Sequence, residues 1–179
     1  MGIPTLISTA TASDVASVDI TSGIDSTYDE YMFVCTNINV ATSSAEFGFQ
    51  VNASGASGYN ETITSTNFFV EHLESDALND GFNYDTGNDQ AQGTALQVLV
   101  REAGNGADQN MGIILHIFSP SDTTYVKHFY SRASSSVVQD GESGHFVSGY
   151  VNTTTAIDEI SFSASTGNFD GVIQMYGIA

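Results

Sequence analysis

Hydrophobic and polar residues alternate along most of the chain with the two-residue period of a β-strand. In residues 44–51, for example, Phe47, Phe49 and Val51 point to one side and the residues between them point to the other. Comparable runs, separated by turn-forming residues, cover residues 28–37, 62–74, 94–101, 110–118, 123–132 and 145–152. No long stretch repeats apolar residues at helical spacing. The pattern predicts an all-β protein.

The C-terminal residues 156–178 predict the two strands around which the rest of the chain is built. The run 157–162 is rich in β-forming residues, residues 165–171 supply turn chemistry that ends in Asp170-Gly171, and the apolar run 172–178 follows. Asp-Gly before an apolar run favours a hairpin, because glycine adopts a positive φ at little cost. We expect the last strand to be a core strand around which the earlier strands close.

These runs, with two shorter ones near the N-terminus, predict nine to eleven strands in a single domain spanning residues 1–179. A chain of this length can bury a sizeable core. Regularly spaced strands without helices between them favour a β-sandwich, and one that resembles a jelly roll. Residues 1–22 alternate least clearly, so we interpret them as either an edge strand or an arm that contacts a partner.

The charge of the chain is strongly negative and limits its partners. There are 21 acidic residues against three Lys and Arg, which gives a formal net charge of −18. Such a protein is repelled by nucleic acid and by anionic membrane surfaces. We therefore predict no nucleic-acid partner and no membrane partner. A salt-rich medium or bound divalent cations would offset the self-repulsion.

Residues 75–93 form the longest stretch without a strand pattern, and long loops are often functional. Its carboxylates are candidate ligands for Ca²⁺, namely Asp76, Asp80, Asp85 and Asp89. Their spacing does not match an EF-hand loop, so a solvated acidic loop is the alternative. Three aromatic residues are assigned to loops, where they could contact glycans, proteins or a neighbouring subunit: Tyr59, Phe82 and Tyr84.

No catalytic motif is present in the sequence, and we predict that the protein is not an enzyme. Cys35 is the only cysteine and lies in an apolar strand, where a buried and unreactive thiol is expected. The four histidines fall one to a strand, without metal-binding spacing: His72, His116, His128 and His145. Apart from calcium, no cofactor is predicted.

Four segments carry a resemblance to a known group of proteins: residues 23–31 (GIDSTYDEY), 149–152 (GYVN), 167–171 (GNFDG) and 175–178 (MYGI). From about Gly23 onward the chain resembles small proteins encoded by marine tailed bacteriophages, cyanophage-like ones among them. The shared motifs are strand and turn elements, so they imply a shared fold more than a shared role. The resemblance implies a component of the virion that is assembled in the host cytoplasm.

Our leading hypothesis is a structural protein that decorates or cements the phage capsid. Its partners would be capsid proteins, other virion proteins and other copies of itself in a symmetric homo-oligomer. One alternative is a tail or fibre component that binds a host glycan as receptor. Another is a calcium-dependent carbohydrate-binding module. A hydrolase would require a pocket of converging polar residues.

Overall fold

The computed structural model of the chain describes residues 2–76 and 78–179, with the side chains of residues 78–80 excepted. Within these residues it contains thirteen strands and no helix, which confirms the all-β prediction. The strands are β1 (Thr5–Val15), β2 (Ser17–Ile20), β3 (Glu30–Val40), β4 (Ala45–Ala53), β5 (Ile63–Leu73), β6 (Leu78–Tyr84), β7 (Ala91–Gly93), β8 (Gln97–Ala103), β9 (Met111–Phe118), β10 (Lys127–Val137), β11 (Gly141–Val151), β12 (Ile157–Ala164) and β13 (Phe169–Ile178). In the described part of the chain, no helix is long and apolar enough to cross a membrane.

The two strands beyond the predicted nine to eleven lie in the stretch 75–93, which was predicted to be a loop. Here β6 and β7 both pair with β5. The β6 sequence contains Asn, Asp and Gly, which are poor strand formers. Its pairing is accompanied by ring contacts of Phe82 and Tyr84 with Phe68 of β5, at centroid distances of 5.2 and 5.0 Å. Tertiary packing therefore overrides the local propensity of this segment.

All strand pairs are antiparallel, and the described strands join into one sheet. Its main path runs β1-β13-β3-β9-β10-β8-β4-β12-β2, while β11 pairs with β10 and β5. The strands β1 and β2 lie at opposite ends of this path, yet only Ala16 separates them in the sequence. The sheet therefore closes on itself where the chain passes from β1 to β2.

Two parts of this sheet pack face to face around the core. We call β13, β3, β9, β10, β11 and β5 the wide part, and β8, β4, β12 and β2 the narrow part. The ring of Phe33 in β3 lies 5.6 Å from that of Phe162 in β12, and Phe129 in β10 lies 5.1 Å from Phe49 in β4. On β9 the alternate residues point inward, since Met111, Ile113, Leu115 and Ile117 are at most 2% exposed.

The C-terminal strands exist as predicted, but the predicted hairpin between them was wrong. β12 pairs with β4 and β2, whereas β13 lies between β1 and β3. The connecting turn lies at residues 165–168, and Gly171 instead sits at an irregularity in the β13–β3 pairing. At φ 144° its missing Cβ would come within 2.5 Å of the Ile38 side chain. The Asp-Gly pair therefore marks a bulge and a close backbone approach, not a hairpin turn.

The aromatic core predicts a large loss of stability when Phe162 is truncated. Its ring contacts Phe33, Phe47 and Phe49, so Phe162→Ala should lower the free energy of unfolding by about 3–5 kcal/mol. Phe82→Ala is the matched control, because Phe82 is 62% exposed and its truncation should cost less than about 1 kcal/mol. Urea unfolding followed by fluorescence measures both. Equal losses for the two variants would contradict this account of the core.

Candidate binding surface on the wide face

The outward side of the wide part, here called the wide face, carries a row of large side chains. Side chains alternate along each strand, so residues paired across neighbouring strands share a face. The pairing places one row in register across β3, β9, β10, β11 and β5: Val34, Ile114, Arg132, Phe146 and Phe68. Ile114 is 42% exposed and Phe146 is 36% exposed, although both lie in the middle of strands.

Beside this row lies a row of small residues, which leaves a groove in the surface. Gly112, Ser134 and Gly144 are paired in register across β9, β10 and β11. They form the floor of a depression of about 530 Å³, which we call the transverse groove. Arg132 and Phe146 line one side of it. Glu142 lines the other side and accepts a hydrogen bond from the Ser134 hydroxyl at 3.1 Å.

An aromatic cluster adjoins the groove at the β5–β6 edge. Phe82 lies 5.2 Å from Phe68 and 5.9 Å from Phe146, and the Arg132 guanidinium lies 5.5 Å from the Phe146 ring centroid. Phe82 and Tyr84, predicted as contact residues, are 62% and 44% exposed and belong to this cluster. Both lie in β6 and not in a loop. The cluster forms one continuous surface with the groove.

The third predicted contact residue, Tyr59, is not part of this cluster. It follows β4, where its backbone N–H donates to the Asn52 side chain at 2.7 Å. Burial, together with the nearby acids Asp19 and Glu159, raises the pKa of Tyr59 to about 12. The predicted trio therefore does not form a single site.

Sequence reasoning missed Phe68, Phe146 and Arg132 as site residues. The alternation in β5 and β11 shows which residues share a face, but it does not identify the face that stays exposed. Strand 145–152 was predicted, yet its shortened start left out Gly144 and Glu142. Gly112 and Gly144 could have indicated the groove, since glycine inside a strand marks a close approach or an open surface.

The wide face carries only a small share of the charge of a chain whose net charge is −18. Arg132 is exposed there and forms no ion pair with any described residue. The other two cations lie elsewhere: Arg101 contacts Asp85 and Glu102, and the buried Lys127 ammonium donates to two backbone carbonyls. The acidic residues that point outward from the six strands are Glu30, Glu142 and Asp170. Most of the acidic charge therefore lies away from this face.

A second hollow, of about 730 Å³, lies at the loop between β9 and β10. It is lined in part by Phe118, His128 and Tyr125, of which Tyr125 is 72% exposed. The Asp122 carboxylate accepts hydrogen bonds from the backbone N–H groups of Thr124 and Tyr125, which lowers its pKa. This hollow is built on a loop, whereas the transverse groove is built on paired strands.

The structure does not bring the described members of the predicted calcium set together. Asp76 lies in the turn after β5, where it contacts His72 at 3.4 Å, whereas Asp85 and Asp89 follow the far end of β6. A seven-residue strand separates these positions by roughly 20 Å. The side chain of Asp80 lies outside the described residues. Among the described residues, no group of three or more His, Cys, Asp or Glu side chains could hold a metal ion.

The remaining carboxylates of that set are already engaged within the protein. Asp85 accepts hydrogen bonds from the Asn88 side chain at 2.9 Å and from the Gly87 N–H at 3.2 Å. Asp89 accepts a hydrogen bond from the Tyr84 hydroxyl at 2.6 Å. These carboxylates fix the turn after β6 and its contact with the aromatic cluster.

The histidines and the cysteine also lie apart from one another. His72, His116 and His128 are on the wide face, and His116 contacts Glu30. His145 points into the protein, where it is 1% exposed. Cys35 is buried, and burial raises the pKa of its thiol to about 12. At neutral pH this thiol is therefore protonated and a poor nucleophile.

His145 belongs to a group of polar side chains buried on the inner side of the wide part. Its ring stacks on Phe69 at 6.4 Å and lies 3.3 Å from the Ser135 hydroxyl. Nearby, the Asn67 and Gln97 amides both donate to the Val98 carbonyl at 3.2 Å. The interior is thus less apolar here than between the phenylalanines of the core.

The burial of His145 predicts a pH-dependent stability. Burial, followed in size by repulsion from Arg101, lowers the pKa of His145 from its ordinary 6.5 to about 4. Between these values the unfolded chain binds a proton that the folded chain does not. The free energy of unfolding should therefore fall by about 3 kcal/mol as the pH drops through this window.

Urea unfolding at several pH values measures this contribution. His145→Gln should show a shallower decline between pH 6.5 and 4 than the unmodified protein. His128→Gln, which changes an exposed histidine, should keep the original slope. The assignment to His145 would fail if both variants followed the original slope.

The dispersed carboxylates predict that calcium does not stabilise the fold. The melting temperature should be the same in excess Ca²⁺ and in excess chelator, because a cation that binds only the folded state must raise it. A higher melting temperature in Ca²⁺ would contradict this expectation. Asp85→Asn and Asp89→Asn would then show whether the turn after β6 holds the ion.

Comparisons with protein-family models, with curated proteins and with solved structures found no match for this chain. The resemblance to marine phage proteins therefore stays a hypothesis about origin.

Proposed function

We propose that the protein is a non-enzymatic structural protein of a tailed-phage virion, acting as a capsid decoration or cement protein. The observation that carries this proposal is the exposed aromatic cluster on the wide face, outside a core that is already filled. Phe68 contacts Phe82 and Tyr84 there, Phe82 contacts Phe146, and Arg132 lies beside Phe146. A surface of this composition is suited to stable contact with another molecule.

The rings of the aromatic cluster remain partly exposed to water in the isolated chain. Phe82 at 62% exposure and Tyr84 at 44% exposure leave much of their apolar area in water. Contiguous exposed apolar patches mark interaction sites in soluble proteins. Aromatic residues and Arg are also the side chains that contribute most at protein interfaces. A capsid protein that covers this face would remove the exposed apolar area of these rings from water.

The arrangement of the strands supports a rigid contact module. We infer a jelly-roll-like β-sandwich, because the wide and narrow parts pack face to face and the chain crosses between them from β1 to β2. β11 pairs with both β10 and β5 over eleven residues without a bulge. Such regular pairing holds the outward side chains in a fixed pattern, which lowers the entropic cost of binding.

The charge favours a position on the outside of the particle. A chain of net charge −18 is repelled by packaged DNA, which is itself highly charged. Since the wide face carries few acidic residues, it is the part of the surface that another acidic protein can approach most closely. Copies of the chain would then sit with their acidic sides toward the medium, in a symmetric arrangement set by the capsid.

The alternative is a tail or fibre component that binds a host glycan. The transverse groove favours it, because a groove lined by Arg132, Phe146 and hydroxyl groups offers both stacking and hydrogen bonding. A calcium-dependent carbohydrate-binding module is not favoured, because Asp85 and Asp89 engage internal partners.

Copy number in purified particles distinguishes the two placements. A capsid decoration protein should be present in hundreds of copies, in a fixed ratio to the major capsid protein, since it follows the capsid symmetry. Quantitative mass spectrometry of virions measures this ratio. A few dozen copies or fewer would overturn the capsid placement in favour of the tail, and absence from the particle would overturn both.

A binding assay with particles then tests the contact surface. Phe146→Ala and Phe82→Ala should each weaken binding of the purified chain to capsids that lack it, by about tenfold or more. Tyr125→Ala is the control, because Tyr125 is exposed in the second hollow and away from the aromatic cluster. Equal effects of all three variants would contradict docking through the wide face.

A further inference from the structure

We propose that the transverse groove is a binding site for a neutral oligosaccharide. The inference rests on the fibre alternative, because a wide face covered by a capsid protein would close the groove to a sugar. It is argued from the groove between Gly112 and Gly144 and from the charge of its surroundings.

The groove exists because side chains are missing from its floor. A Cβ placed on Gly112 would meet no atom within 4 Å. A Cβ on Gly144 would make only ordinary contacts, at 3.4 Å from Val70 and 3.7 Å from Glu142. No close packing therefore requires glycine at either position. Glycine in the interior of a strand lowers the stability of the fold. The need to keep the groove open explains why glycine occupies these two positions.

The shape suits an extended chain of sugar rings. The groove is lined by residues of five neighbouring strands: β3, β9, β10, β11 and β5. Four spacings of about 4.8 Å between strands give it a length of roughly 19 Å. Its volume of about 530 Å³ and its open top allow a ligand to enter from solvent. Several linked rings fit this length better than a single compact molecule does.

The lining groups match the chemistry of sugars. A pyranose ring presents an apolar face of C–H groups and a rim of hydroxyls, so it needs an aromatic surface beside donors and acceptors. Phe146 provides the aromatic surface at 36% exposure. The Arg132 guanidinium supplies donors, the Glu142 carboxylate supplies acceptors, and the Ser134 hydroxyl, which donates to Glu142, supplies a further acceptor. All four lie on rigid strands.

The charge selects among the possible occupants. Arg132 and Glu142 balance each other, so the groove itself carries no net formal charge. The rest of the chain carries −18, which repels acidic polysaccharides at low salt. A second copy of the chain would bring another −18 to the same surface. A neutral sugar avoids both penalties.

The test is titration of the purified full chain with defined hexasaccharides, followed by chemical-shift changes and by calorimetry. The probes are maltohexaose, cellohexaose and laminarihexaose, with hexagalacturonate as the acidic comparison. We expect at least one neutral hexasaccharide to bind at millimolar concentration or below, and to bind more tightly than hexagalacturonate.

Gly112→Val is the decisive variant. It places a β-branched side chain in the open space of the groove, where valine is favoured in a strand, so the fold should be kept. We expect it to weaken binding by about tenfold or more, and Phe146→Ala to do the same. Tyr125→Ala, in the second hollow, should bind as the unmodified chain does. Unchanged melting temperatures confirm that all variants are folded.

Several outcomes would overturn the proposal. It fails if none of the neutral hexasaccharides binds, or if Gly112→Val binds as tightly as the unmodified chain. It also fails if hexagalacturonate binds most tightly. Loss of binding in Tyr125→Ala alone would assign the sugar to the second hollow. Self-association that Gly112→Val abolishes, without sugar binding, would make the groove an interface between copies.

Discussion

The packing of Phe162 against three other phenylalanine rings is the contact on which the arrangement of the sheet depends. Phe162 belongs to the narrow part, and its ring touches Phe33 of the wide part as well as Phe47 and Phe49 beside it. Burial of these rings holds the two parts face to face, since apolar area removed from water is the main favourable term in folding. The inward side chains of the wide part are therefore buried in the core. Its outward side chains remain exposed.

The burial of apolar residues on one side of each strand also determines how much of the fold the sequence predicts. Alternation identified the strands outside residues 75–93, because a two-residue period of apolar residues is typical of a half-buried β-strand. It could not identify which strands are neighbours, so the pairing of β12 with β4 instead of β13 was missed. The Asp170-Gly171 pair led to the wrong prediction of a hairpin, because glycine occurs in both tight turns and bulges. Only the close approach of Ile38 to Gly171, which the sequence does not show, identifies the bulge.

The candidate site was harder to predict than the fold. Phe82 and Tyr84 were identified, but their partners Phe68 and Phe146 are distant in sequence and meet only through the pairing of β5 with β6 and β11. The aspartates of residues 75–93 were grouped by their density along the chain. Strand β6 then separates Asp76 from Asp85, since an extended segment moves its ends apart. Aspartates that are close together in the sequence are close together in space only where the chain between them is not extended.

The distribution of charge links the fold to the proposed roles. A surface with evenly spread acidic residues would keep every approaching acidic partner at a distance. Here the outward rows of six strands carry Glu30, Glu142 and Asp170 against Arg132, so repulsion is weakest where the aromatic rings and the groove lie. Long-range charge determines which molecules approach a surface, and short-range packing determines which remain bound. Weak repulsion and the aromatic rings occur together on the wide face. This convergence, and not any sequence motif, is the reason we propose the wide face as the functional surface.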